Sequence, residues 1–114
     1  MSADEALNEQ VLRRLRAAGD DLTVARPVEF QFVFPSLTDA RNFAQAAREL
    51  DLRAEVADGD DGPAPGLPWD VNVTIHMVPE LAAITGHERA LGQLAAAYNG
   101  RPDGWFCQQM DAQK

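Results

Sequence analysis

Apolar and polar residues alternate strictly from Trp69 to Met77. Trp69, Val71, Val73, Ile75 and Met77 hold one parity, and Asp70, Asn72, Thr74 and His76 the other. A period of two kept over such a stretch, rich in β-branched types, predicts a strand with one dry and one wet face. The same pattern follows Pro27. Val28, Phe30, Phe32 and Phe34 share a face opposite Glu29, Gln31 and Val33. Four large side chains on one face call for helices packed across it. Leu52, Ala54 and Val56, alternating with Arg53 and Glu55, predict a shorter strand over 52–57, and a last strand is expected over about 104–109.

Helical spacing fills the intervals. Over 2–18, Ser2 and Glu5 stand at capping-box spacing, Leu7, Val11, Leu15 and Ala18 form an apolar stripe, and Gly19 is placed to end the helix. The stripe is thin, which suits a helix on the rim of the domain or on a partner; 20–26 reads as a linker. After Pro35, Ser36 or Thr38 caps a helix running to about Asp51, with Ala40, Phe43, Ala44, Ala47 and Leu50 as its buried stripe. Pro79 suits the first turn of a third helix, in which Leu81, Ile84, Glu88, Leu91, Ala95 and Tyr98 recur before Asn99-Gly100 ends it. The run D-G-D-D-G-P-A-P-G-L-P, 58–68, is a loop by every turn signal, and an acidic one.

A helix followed by βαββαβ predicts an α+β fold, a ferredoxin-like sandwich. Its four-stranded antiparallel sheet has order 4-1-3-2, and both crossover helices lie on the Phe30 and Val73 face. The expected division is an N-terminal helix and linker over 1–26, the ferredoxin-like domain over 27–110 and a frayed tail over 111–114.

Charge sharpens the picture. Ten Lys and Arg against eighteen Asp and Glu leave a net charge of −8. That field repels nucleic acid and anionic lipid and attracts basic partners. The single cysteine excludes an internal disulfide, and M-S-A-D-E-A has no apolar run for a leader or membrane span, so a cytoplasmic protein is expected.

The wet faces carry no catalytic set. Asp70 and His76 lie roughly 20 Å apart along one strand, too far for a dyad. His76 could meet Glu29 across strands, but no nucleophile accompanies them, so no enzymatic role is expected. RNA binding by the sheet would need aromatics where Glu, Gln, Asp, Asn and Thr stand. His76, His87 and Cys107 show no close ligand spacing. The Asp58, Asp60, Asp61 loop fails the EF-hand pattern, with Gly62, Pro63 and Trp69 where other residues belong. No metal or cofactor is expected. Cys107, after Trp105 and Phe106, reads as a structural thiol. Glu88 is the odd residue of an apolar line; it is expected to bond the loop before the last strand, with docking a partner as the alternative.

Two pieces together carry a resemblance. H-E-R-A-L-G-Q-L-A-A-A-Y-N-G, His87 to Gly100, leads into Asp103-Gly104-Trp105. A glutamate-bearing helix with L-x-x-L-A, ending in glycine before D-G-W, resembles the RraB family, small acidic bacterial proteins regarded as inhibitors of the endoribonuclease RNase E. The order of elements from Val28 to Gln109 fits that family's ferredoxin-like domain. Pro102 departs from it, standing where the family usually has an aromatic residue, and the chain ends M-D-A-Q-K without an acidic extension.

The resemblance implies a regulatory protein that binds a protein partner, RNase E, and modulates RNA cleavage without touching RNA. The net charge suggests that a basic segment of the partner is what it holds. The partner surface is expected at Glu29, Asp58, Asp60, Asp61, Asp70, Asn72, Glu88, Asp103 and Trp105. D-G-W also has a purely structural reading, with Asp103 closing a turn, Gly104 taking a positive φ and Trp105 plugging the sheet edge under the last helix. The alternative function is a ligand-binding or dimerising ferredoxin-like module that uses its open sheet face through Val33 and Thr74.

Overall fold

A computed structural model describes residues 3–58 and 67–108. The elements run α1 (Ala3–Ala17), β1 (Arg26–Phe34), α2 (Leu37–Glu49), β2 (Arg53–Asp58), β3 (Trp69–Met77), α3 (Leu81–Ala96) and β4 (Arg101–Cys107). The fold is mixed α+β, with three helices and one four-stranded antiparallel sheet among the described residues, in the order β2-β3-β1-β4, or β4-β1-β3-β2 from the opposite edge. Ser2, residues 59–66 and the tail after Gln108 lie outside the described residues, so the expected capping box, the middle of the acidic loop and the frayed end are not described.

The period-two pattern translates directly into the sheet. β3 spans the alternating stretch, and β1 pairs with it from Arg26 opposite Met77 to Phe34 opposite Trp69. Val28, Phe30, Phe32, Phe34, Val71 and Val73 are fully buried on the dry face. α2 crosses that face over β2 and β3, and α3 over β4 and β1. Ala40, Ala44 and Ala47 let α2 come close, and Phe43 packs its ring against Phe32 and Phe34 with centroids 5.2 and 5.1 Å apart. Ser36 caps α2, its Oγ accepting from the Asp39 amide at 3.1 Å.

All three helices end alike. A left-handed residue (Gly19, Asp51 or Asn99) follows the last turn. Two crossing bonds then satisfy the final carbonyls: Asp20 to Leu15 with Gly19 to Arg16, Leu52 to Ala47 with Asp51 to Arg48, and Gly100 to Ala95 with Asn99 to Ala96. This closure corrects the reading of α2. The helix stops at Glu49 rather than near Asp51, and Leu50, expected in the buried stripe, is 62% exposed. The turn at Asp51 sends Leu52 to the core in its place.

The stripe of α1 is also corrected. Leu7 is 61% exposed and Ala18 lies outside, whereas Asn8 and Leu12 are buried and Leu15 packs on the core. The helix is rotated from the Leu7 line because a polar side chain takes a core position there. α1 packs on α3. The stretch 20–26 is more than a linker. Arg26 and Asp20 form a fully buried ion pair at 2.8 Å. The guanidinium also donates to the carbonyls of Val24, Asp21 and Gln108 at 3.1, 2.6 and 3.2 Å. The turn after α1 is thereby tied to β1 and to the end of β4.

β4 starts at Arg101, earlier than the expected 104. Asp103, expected to close a turn ahead of the strand, lies inside it with Gly104 and Trp105. Gln31 pairs with Gly104 and Phe32 with Pro102, so Asp103 is left over as a bulge and Gly104 takes φ 109.

Candidate protein-binding face

The wet face of the sheet is built by register. Across the strands, Arg53, Thr74, Glu29 and Phe106 form one row; Glu55, Asn72, Gln31 and Gly104 the next; Ala57, Asp70, Val33 and Arg101 a third. No described helix packs over these rows, because α2 and α3 occupy the other side and α1 lies on α3. Within the face, the Asn72 amide donates to Glu29 Oε1, which fixes the amide orientation. Glu29 therefore bonds Asn72 and stands opposite Thr74, while His76 stands opposite Pro27 and is exposed. Arg53 and Glu55 pair at 3.5 Å on the exposed β2 edge.

Asp70 is held above the ordinary carboxylate range, first by burial and then by the charge of Asp103. The Asp103 charge thus reaches Asp70 across β1. Val33 between them is only 1% exposed although it faces this side, so it offers almost no surface to a second copy. Phe106, which the sequence reading passed over, is 45% exposed in the row of Glu29. Its signal was available, since it alternates with the inward Trp105 and Cys107.

Glu88 and Trp105 belong elsewhere. Both lie on the dry side, where they meet one side chain of α1. Asn8 Nδ2 donates to Thr85 Oγ1 and to Glu88 Oε1, each at 3.1 Å, and Asn8 Oδ1 accepts from the Trp105 indole at 2.8 Å. Glu88 bonds α1 in place of the expected loop, and the polar edge of Trp105 is engaged within the chain. The expected surface residues therefore fall into two groups on opposite sides of the sheet: Glu29, Asp70, Asn72 and Asp103 on the open face, Glu88 and Trp105 beneath α1. The side chain of Asp58, and Asp60 and Asp61 entirely, lie outside the described residues.

The remaining titratable groups have structural settings. Cys107 lies beside Arg26; burial pushes its thiol up, while the guanidinium pulls it back. The Arg26 guanidinium is held more firmly protonated by its bond to Asp20. No described helix is long and apolar enough to cross a membrane.

The helix with Glu88 and the D-G-W strand, the two pieces that carried the resemblance, thus converge on Asn8 in one folded unit. A comparison with protein families matches residues 5–107 to RraB, described as "Regulator of ribonuclease activity B". The chain belongs to the RraB family. The match takes in α1 from Glu5 as well as the sheet and ends on Cys107, the last residue of β4. No curated protein matches the chain at a significant level. The RraB description assigns a regulatory role on a ribonuclease and so implies a protein partner.

Proposed function

We propose that this RraB-family protein is a non-enzymatic, cytoplasmic regulator that binds RNase E and modulates RNA cleavage without contacting RNA. The family match over residues 5–107 is the observation that carries the reading. The strand order supports treating 27–110 as a ferredoxin-like domain preceded by the helix and linker of 1–26. The net charge of −8 favours a basic segment of the partner. The open face supplies acidic and polar groups for it at Glu29, Asp70, Asn72 and Asp103. The loop acids Asp58, Asp60 and Asp61 extend the same proposal from sequence alone. Glu88 and Trp105 are withdrawn from the direct contact surface, since Asn8 occupies them.

The test is titration of the purified protein into the host's RNase E, reading both binding and the cleavage rate of a reporter RNA. Binding with slowed cleavage is the expected result. No binding at low salt would leave the family assignment standing and remove this partner. Within a binding pair, Asp60→Lys with Asp61→Lys, and separately Glu29→Lys, are expected to weaken affinity in a salt-dependent way. Unchanged affinity removes that patch from the proposal.

A second reading, self-association through the sheet face, rests on Phe106. Its exposed ring beside Glu29 and Thr74 is the one large apolar group in the described rows of that face. Light scattering of the wild type against Phe106→Ser separates the two readings: a dimer lost in the variant favours self-association.

A further inference from the structure

α1 is fastened to the domain in an uneven way. One end is fixed hard. Asp20, directly after the closing turn at Gly19, is fully buried in its ion pair with Arg26, whose other donors hold Val24, Asp21 and Gln108. The body of the helix is held mainly by polar contacts. Asn8 supplies three hydrogen bonds to α3 and β4, and Arg89 approaches Glu5 to 3.6 Å on the partly exposed rim. Among the described residues of α1, Leu12 and Leu15 pack on the core, while Leu7 points away. Between the C-terminal half of α1, the turn at Leu22 and the segment Val78–Leu81 lies a cleft of about 600 Å³. The underside of the helix is therefore incompletely filled.

From this we infer that α1 is a hinged strap. It opens about Gly19 while the rest of the domain stays folded, and it uncovers Thr85, Glu88 and Trp105. Hydrogen bonds exchanged for water leave little net free energy behind, whereas buried apolar area holds an element down; a helix held mostly by the former opens locally before the core does. Gly19 at φ 97 supplies backbone freedom at the pivot, and the Asp20–Arg26 pair stops the opening from spreading into β1. The inference is independent of the ribonuclease reading. Its consequence is that the polar groups Glu88 and Trp105 turn toward Asn8, half-buried in the closed form, become fully accessible in the open one.

Native-state hydrogen exchange on the full chain tests it. In the wild type, amides of α1 are expected to exchange through an opening less sensitive to denaturant than that of β1 and β3. Asn8→Ala is expected to speed exchange in α1 by about tenfold or more, while the α1 opening keeps a weaker denaturant dependence than that of β1 and β3. Glu88→Gln, which keeps an acceptor for Asn8, is expected to stay near the wild type, and Glu88→Ala to follow Asn8→Ala. The strap is overturned if wild-type α1 exchanges with the same denaturant dependence as β1. It is equally overturned if Asn8→Ala leaves exchange in α1 unchanged. Should Asn8→Ala fail to fold, the wild-type comparison and the Glu88 pair decide the question.

Discussion

Trp105 donates its indole N–H to Asn8 Oδ1 at 2.8 Å, joining residues 97 apart in the chain. The same carboxamide donates to Thr85 and Glu88, so one buried side chain connects α1, α3 and β4. This is where the helix motif and the D-G-W motif meet. Asn8→Ala removes the shared partner and leaves the Trp105 and Thr85 groups without it. A loss of about 1–3 kcal/mol is expected, read as a lower urea midpoint with the slope unchanged. Trp105→Phe, which keeps a ring and loses the donor, is expected to cost less than Trp105→Ala.

The Asp20–Arg26 pair is fully buried, and loss of either member strands the other. Arg26→Ala is expected to destabilise by roughly 3–5 kcal/mol. The double change Arg26→Met with Asp20→Leu removes both charges together and is expected to be milder than Arg26→Ala alone. Thermal unfolding of the three proteins decides this; a double variant worse than the single one would contradict the account.

Asp70 predicts a pH dependence. Burial and then Asp103 raise its folded value above the ordinary 3.8, so the folded state holds the proton more tightly than the unfolded state does. Ionising Asp70 therefore costs stability. The cost is absent below about pH 3.8, where both states are protonated, and grows as pH rises through the folded value. Asp70→Asn is expected to raise the melting temperature at pH 7, with the gain fading as the pH falls below that range. A gain that persists at pH 3 would point to some other cause.

Gly100 closes α3 against Phe34. A Cβ built there would run into the Phe34 ring, which is fully buried in the core. Gly100→Ala is expected to destabilise by about 1–3 kcal/mol through overpacking. Gly86, which has nothing within 4 Å of its own would-be Cβ, is the control position. Gly86→Ala is expected to be neutral or stabilising by up to about 1 kcal/mol, since it lies within a helix. The two melting temperatures make the comparison.

Local period alone determined most of the frame. The alternation of Trp69–Met77 and of Val28–Phe34, and the spacing of Ala40, Phe43, Ala44 and Ala47, report which face each element buries, because side-chain direction follows backbone geometry residue by residue. The family resemblance was legible for a similar reason, being carried by contiguous motifs. What only the tertiary structure decided depends on partners distant in sequence. Asn8 takes a core position because Thr85, Glu88 and Trp105 satisfy it; Arg26 is buried because Asp20 and three carbonyls surround it. Hydropathy counts both residues as surface, since their burial is tolerated only when every polar atom that matters finds a partner. Leu50 errs in the opposite sense, an apolar side chain expected in the core and found exposed. A left-handed turn at Asp51 turns Leu50 out, whereas Val33, on the outer parity of β1, is 1% exposed. A repeat read along the chain contains neither the turn that ends a helix nor the neighbours that cover a face.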